Sequence, residues 1–219
     1  MIEHSKSDAV VFDWDGTMMD TTALIVKSIQ HAAREMGIPV PSDEVASSII
    51  GLDWRNALRI AVPDLPMERA MEFGEHYQAH YVPNEKRVFL FPGMAELAKE
   101  LKASGVAVAV ATGKSRRGLN RILETTGLTD LFVTTKTADE CTPKPHPEML
   151  EEISIETGVD KSRMVMVGDT THDLFMAKKF GCDGIGMTWG AMRAEELLKA
   201  EPVALVKNAE ELRRLLGGE

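Results

Sequence analysis

Cysteine is scarce in this 219-residue chain: Cys141 and Cys182 are the only two, with no Cys-x-x-Cys spacing. That excludes a disulfide framework and a thiolate metal site, and both read as ordinary reduced thiols. Positive charge is in deficit too. Lysine and arginine number 25 against 34 acidic residues, for a net charge of −9, which speaks against general nucleic-acid binding and against an anionic membrane surface as partner. No long apolar run of signal or membrane-spanning type occurs, and Met1-Ile2-Glu3-His4-Ser5-Lys6 leads directly into a strand. A cytoplasmic setting is the expectation. Internal repeats and low-complexity segments are missing, and residues 20–84 carry no strand pattern.

What the chain does contain is ordered in two textures. After Thr17 the pattern is helical. Ile25, Ile29, Ala32, Ala33 and Met36 recur at helical spacing up to Gly37, Ser42 is a plausible N-cap before Asp43 and Glu44, and Trp54 to Val62 reads as a short helix ended by Pro63. Pro66 suits the first position of a further helix with Met67, Met71, Tyr77 and Tyr81 on one face. From Val88 onward strands and helices alternate. Strands are expected at 106–111, 131–134, 164–167, 184–187 and 203–206, with helices at 94–104, 115–126, 147–157, 172–180 and 208–216. Nearly continuous apolar strands alternating with helices indicate an α/β fold, a doubly wound parallel sheet covered on both faces. The apolar run Ala9-Val10-Val11-Phe12 joins that sheet by pattern, so the helical block is an insertion. The expected division is an α/β core over 1–17 and 88–219 and an all-helical cap with hinges over 18–87, the chain crossing near Met18–Thr21 and Pro83–Arg87.

Ligands of an open parallel sheet bind outside the carboxyl ends of its strands. The first strand ends in Asp13-Trp14-Asp15-Gly16-Thr17, with Asp20 three residues on. Unpaired carboxylates inside a sheet cost several kcal/mol each on the scale of about 3–5 kcal/mol for an uncompensated buried charge, so a cation is implied. Oxygen-only donors without nearby cysteine or histidine favour magnesium, while a solvent-exposed acidic strand end remains the plain alternative. Three further segments bear on that choice: Thr112-Gly113-Lys114-Ser115, Lys144 between Pro143 and Pro145, and Gly168-Asp169-Thr170-Thr171-His172-Asp173. Each has an ordinary reading, as strand end, solvated charge, or helix cap and first-turn acid. Together they supply carboxylates for a metal, a hydroxyl with backbone amides, and a lysine, which is the chemistry of a phosphate site.

In this order the residues resemble the four motifs of the haloacid dehalogenase-like hydrolases: Asp13 to Thr17, Thr112, Lys144, and Gly168 to Asp173. The insert resembles the small helical cap of the subgroup that includes phosphoglycolate phosphatases, β-phosphoglucomutases and the dehalogenases. The resemblance implies a magnesium-dependent phosphatase acting on a small phosphorylated metabolite. It implies Asp13 as nucleophile forming an aspartyl-phosphate, and Asp15 as the acid and base. Thr112, the Gly113 amide and Lys144 would hold the phosphoryl oxygens. Magnesium would be held by Asp13, the Asp15 backbone carbonyl and Asp169, with Asp173 supporting that shell. Asp20 falls outside the site, as a hinge or helix-start residue. Arg55, in Gly51-Leu52-Asp53-Trp54-Arg55, stands where related caps meet substrate, and a surface arginine is its other reading. Trp189-Gly190 resembles a segment of the phosphoglycolate-phosphatase-like members. Met18-Met19 reads as packing. Asp15 points to phosphate esters, since dehalogenases lack it and phosphonate-cleaving members, which share Asp13-Trp14, carry alanine there. A sugar-phosphate mutase is the nearest alternative, although its relatives usually have valine where Thr17 stands. A phosphoryl-accepting receiver would need an aspartate ending the third strand, and a non-catalytic binding module should have lost motif residues.

Overall fold

The computed structural model describes residues 7–217; the opening six residues, read above as leading into the first strand, lie outside them. Six strands form one parallel sheet in the order β3-β2-β1-β4-β5-β6. These are β1 (Ala9–Phe12), β2 (Ala107–Thr112), β3 (Thr134–Thr137), β4 (Met164–Gly168), β5 (Asp183–Met187) and β6 (Ala204–Val206). Central β1 pairs β2 on one side and β4 on the other, with Phe12 opposite both Val110 and Val167.

The strand is apolar at every position because both of its faces are covered. Val10 and Phe12 pack with α5 (Met94–Ala103), α6 (Arg116–Thr126) and α10 (Ala209–Leu215), whereas Ala9 and Val11 pack with α7 (Glu148–Thr157) and α8 (Thr171–Phe180). Helix α9 (Ala194–Leu197) is a short piece before β6.

Between β1 and β2 come α1 (Thr22–Glu35), α2 (Asp43–Ser48), α3 (Trp54–Ala61) and α4 (Ala70–Glu85). They bury a cluster of their own, including Ile25, Ile29, Leu58, Phe73 and Tyr81. Ser42 and Asp53 cap α2 and α3 through their side chains. Entry and exit of this insert run side by side: the Asp20 amide donates to the Phe89 carbonyl (3.0 Å) and the Phe91 amide to the Met18 carbonyl (2.9 Å). Asp20 itself is exposed there. Met18 and Met19 pack with Trp14 in the sheet-side cluster.

Three expectations need correction. The third strand is Thr134–Thr137, not 131–134. Leu131 and Phe132 are buried from a turn ahead of it, Phe132 edge-on against Trp14 at 6.1 Å, so an apolar run that reads as strand is core filling. With the strand moved, Asp139 follows its end by two residues, but its carboxylate accepts from the Thr137 hydroxyl (2.7 Å) and the Arg116 amide (2.9 Å), a capping role. Met67 and Met71 do not share a buried face with the tyrosines. Met67 lies in a 3-10 turn, Met67–Arg69, ahead of α4, and Met71, six and ten residues before the tyrosines, falls on another face of the helix, so both are exposed; the inward stripe is Phe73, Tyr77, Tyr81 and Glu85, four residues apart each time. The helix also runs through Pro83 to Glu85, and the returning chain meets Met18–Asp20 at Phe89–Phe91, just past the expected Pro83–Arg87 crossing.

Candidate active site

Asp13, Thr112 and Asp169 stand at or just past the ends of β1, β2 and β4, three adjacent strands at the middle of the sheet. Asp13, Asp169 and Asp173 are all buried, each offering an oxygen within 4.8 Å of the others. Lys144 lies among them, buried, 2.9 Å from Asp13 Oδ1 and 2.6 Å from Asp173 Oδ1. Asp173 is further occupied, its Oδ2 accepting from the Thr170 amide (3.2 Å) and hydroxyl (2.7 Å). Asp169 accepts from the Thr17 hydroxyl (2.9 Å) and the Ala191 amide (2.6 Å). Asp13 Oδ2 has no hydrogen-bond partner among the described residues.

Two glycines enclose Asp169. A Cβ on Gly16, whose φ is +83°, or on Gly190 would stand 2.1 Å from Asp169 Oδ2. The Trp189-Gly190 pair therefore matters through its glycine; the tryptophan packs against Phe91 at 5.4 Å.

The electrostatics ask for a cation. Three carboxylates face one ammonium, and burial pushes the Asp13 carboxyl up to about 7 although Lys144 pulls it down. Burial, reinforced by the charges of Asp13 and Asp173, also holds Asp169 well above the usual carboxylate range. The same two acids, Asp13 and Asp173, raise Lys144 despite its burial. An oxygen-only set with two uncompensated charges and an unpartnered Asp13 oxygen fits a hard divalent ion.

Asp15 keeps different company. Its carboxylate lies outside the three-acid group and receives the Thr21 hydroxyl on Oδ1 (2.7 Å) and the Lys114 ammonium on Oδ1 and Oδ2 (2.8 and 3.0 Å). Lys114 also donates to the Tyr81 hydroxyl at 3.0 Å. Thr21 and Tyr81 lie outside every motif read in the sequence, while Thr17 and Lys114 stand inside motif segments without a role of their own there. Lys114 had a signal, standing two residues past Thr112 at a strand end; Tyr81 reaches the site only through the folding of the insert. The insert roofs the site along Ile49–Leu52. A Cβ on Gly113 would stand 2.8 Å from the Gly51 carbonyl oxygen, and one on Gly51 would stand 3.3 Å from Thr170 Oγ1. Thr112 is fully buried, its hydroxyl accepting from the Lys114 amide (3.2 Å). Arg55 is not drawn into this group: it is exposed in the first turn of α3 and makes no ion pair among the described residues.

A Dickeya dadantii protein named probable phosphatase IndB is 36% identical over 93% of this chain and 90% of its own length. Mycobacterium tuberculosis tyrosine-protein kinase PtkA is 31% identical over 95% of this chain and 72% of its own, and Salmonella typhi phosphoglycolate phosphatase 26% identical over 95% and 92%. The fold matches the crystal structure of a hydrolase from Pseudomonas syringae with a TM-score of 0.86 at 21% identity, over 95% of this chain and 97% of that one. No helix among the described residues is long and apolar enough to cross a membrane. With the family match spanning residues 10–187, and these motif residues gathered at one sheet edge, the chain belongs to the haloacid dehalogenase-like hydrolases.

Proposed function

We propose that this chain is a magnesium-dependent phosphomonoesterase that hydrolyses a small phosphorylated metabolite through an aspartyl-phosphate on Asp13. The observation that carries the reading is the Asp13 carboxylate. It is buried beside Lys144 with one oxygen free of hydrogen bonds, at the switch in strand order. Magnesium, held by the side chains of Asp13 and Asp169 and the Asp15 backbone carbonyl, would neutralise charge on the substrate phosphate.

An Asp13 oxygen bonds phosphorus as the bond from phosphorus to the ester oxygen breaks. Asp15 gives its proton to that leaving oxygen, then takes one from the water that attacks the aspartyl-phosphate, releasing inorganic phosphate and restoring Asp13. Thr112, the Gly113 amide and Lys144 hold the phosphoryl oxygens; Asp173 keeps Lys144 oriented toward them. The roof over Gly113 and Thr170 would keep bulk water out until the alcohol has left and the attacking water takes its place. Phosphoglycolate is the first substrate to test, supported by the helical insert and by the relative of that name. A cytoplasmic setting belongs to the same proposal, as does the absence of nucleic-acid and membrane partners, which the net charge of −9 supports.

The test is phosphate release from a panel of small phosphoesters with magnesium, with Asp13→Asn as control. Turnover of at least one ester, abolished in Asp13→Asn, is expected. Full turnover by that variant would refute the nucleophile, and interconversion of a sugar phosphate without phosphate release would make the chain a mutase.

A further inference from the structure

The carboxylate assigned above to proton transfer is held by Lys114 of the core, by the Thr21 hydroxyl at the start of the insert (2.7 Å) and, at one remove through Lys114, by α4. Both oxygens of Asp15 receive Lys114 Nζ, and the third N–H of that ammonium goes to the Tyr81 hydroxyl at 3.0 Å. Lys114 also lies 5.0 Å from the centre of the Tyr81 ring. Tyr81 is only 2% exposed and cannot drift. Tyr77 stacks on its ring at 5.4 Å and 15°, Trp54 meets Tyr77 at 5.2 Å, and one helical turn on Glu85 takes a two-pronged ion pair from Arg121 of α6, at 2.7 and 3.1 Å. The last two turns of α4 are thus fastened to the core by one bond through Lys114 and a second through Arg121.

We propose that Tyr81 is a positioning residue for Asp15, acting from α4 through Lys114. It takes the ammonium's third N–H and so fixes the direction from which the other two meet the carboxylate; proton delivery to the leaving group then depends on the seating of α4 on the core. The proposal rests on the reading of Asp15 as acid and base.

The test separates proton delivery from stability by varying the leaving group. An alkyl alcohol needs a proton as it departs, whereas p-nitrophenolate does not. For Tyr81→Phe, which keeps the ring and removes the hydroxyl, kcat/KM is measured on the alkyl phosphate turned over fastest in the phosphate-release panel and on p-nitrophenyl phosphate, with Asp15→Asn alongside and thermal unfolding of each. Tyr81→Phe should lose about tenfold on the alkyl ester, part of the roughly 100- to 10,000-fold that positioned proton transfer supplies, and less than about twofold on the aryl ester. Asp15→Asn should show the same selectivity, more strongly. An equal loss on both esters by Tyr81→Phe, or none on either, overturns the positioning role. If Asp15→Asn itself shows no dependence on the leaving group, the acid and base assignment falls, and the role of Tyr81 with it.

Discussion

Gly190→Ala tests the architecture of the site with the smallest substitution available. The added carbon would stand 2.1 Å from Asp169 Oδ2, 2.3 Å from its Cβ and 2.4 Å from its Cγ, so either the Trp189–Ala191 turn or the carboxylate must move. The backbone at Gly190 lies outside the left-handed region, so the cost is steric. Overpacking a tight site costs about 1–3 kcal/mol. Moving the turn also weakens the 2.6 Å bond from the Ala191 amide to Asp169, and hydrogen bonds to charged groups are worth about 1.5–3 kcal/mol. The sum, about 2.5–6 kcal/mol, corresponds to a fall in Tm of about 5–24 °C for a chain of this size. Because Asp169 is a proposed metal ligand, its displacement should also raise the magnesium concentration for half-maximal activity by about 10- to 100-fold. Calorimetry and a magnesium titration of phosphate release read the two effects. Gly37→Ala is the internal control: its φ of +65° costs about 1 kcal/mol in an L residue, yet an added carbon meets nothing within 4 Å, so its magnesium requirement should be that of the wild type. A Gly190→Ala protein that melts with the wild type and keeps its magnesium response, or one matched in both by Gly37→Ala, would refute the reasoning.

Lys144→Met leaves Asp13 and Asp173 without their buried counter-ion, and removing one partner of a buried pair costs about 3–5 kcal/mol; urea unfolding should show that loss at pH 7, partly restored by magnesium. In the insert, His80 lies 4.9 Å from the His31 ring and 2.9 Å from Ser28 Oγ, and burial, with His31, Lys27 and Arg34 nearby, holds it below the ordinary 6.5. The unfolded chain therefore binds that proton more readily, so stability should decline as pH falls below 6.5 and level off once the folded histidine is charged; His80→Gln should flatten that part of the urea-midpoint profile. Burial, aided by the Asp183 charge, pushes the Cys182 thiol up to about 12. At pH 8 only roughly one molecule in ten thousand would carry its thiolate, so iodoacetamide should modify the native chain far more slowly than the chain in urea.

How legible these features were in the sequence depends on whether a residue's partner is local. Ser42, Asp53, Ser115 and Asn208 act within three residues of themselves, and the four helix starts they mark are where the spacing placed them, to within a residue or two. The strand ends carrying Asp13, Thr112 and Asp169 were legible because buried parallel strands are apolar throughout, so the first polar residue marks the sheet edge. The meeting of Lys114 with Tyr81 was not, since nothing near either of them shows that 33 residues of chain close into a 3.0 Å bond. The misplaced third strand has a physical cause as well. At the sheet edge the strand needs no apolar run, and Thr134–Thr137 reads as Thr-Thr-Lys-Thr, while Leu131 and Phe132 fill the core before pairing begins.

The four aspartates of the site are alike as residues, and two lysines make them different. Lys144 is shared by Asp13 and Asp173 with Asp169 nearby, leaving negative charge in excess, and burial raises Asp13 and Asp169 above the usual carboxylate range. A divalent ion would supply the missing counter-charge and keep the Asp13 oxygen ionised and free to bond phosphorus. Lys114 serves Asp15 one to one, with Thr21 completing its hydrogen bonds, so the Asp15 side chain has no comparable need of a metal. The proposed nucleophile and proton carrier are separated by two residues of sequence, and the assignment of counter-charge, one lysine from the β2 end and one from the loop before α7, would let the Asp13 carboxylate recruit a cation while the Asp15 carboxylate stays clear of it. Exchanging the charge at either lysine should therefore disturb one role before the other: Lys144→Met chiefly through the buried acidic group, and a loosened Lys114 chiefly through the departure of the alcohol.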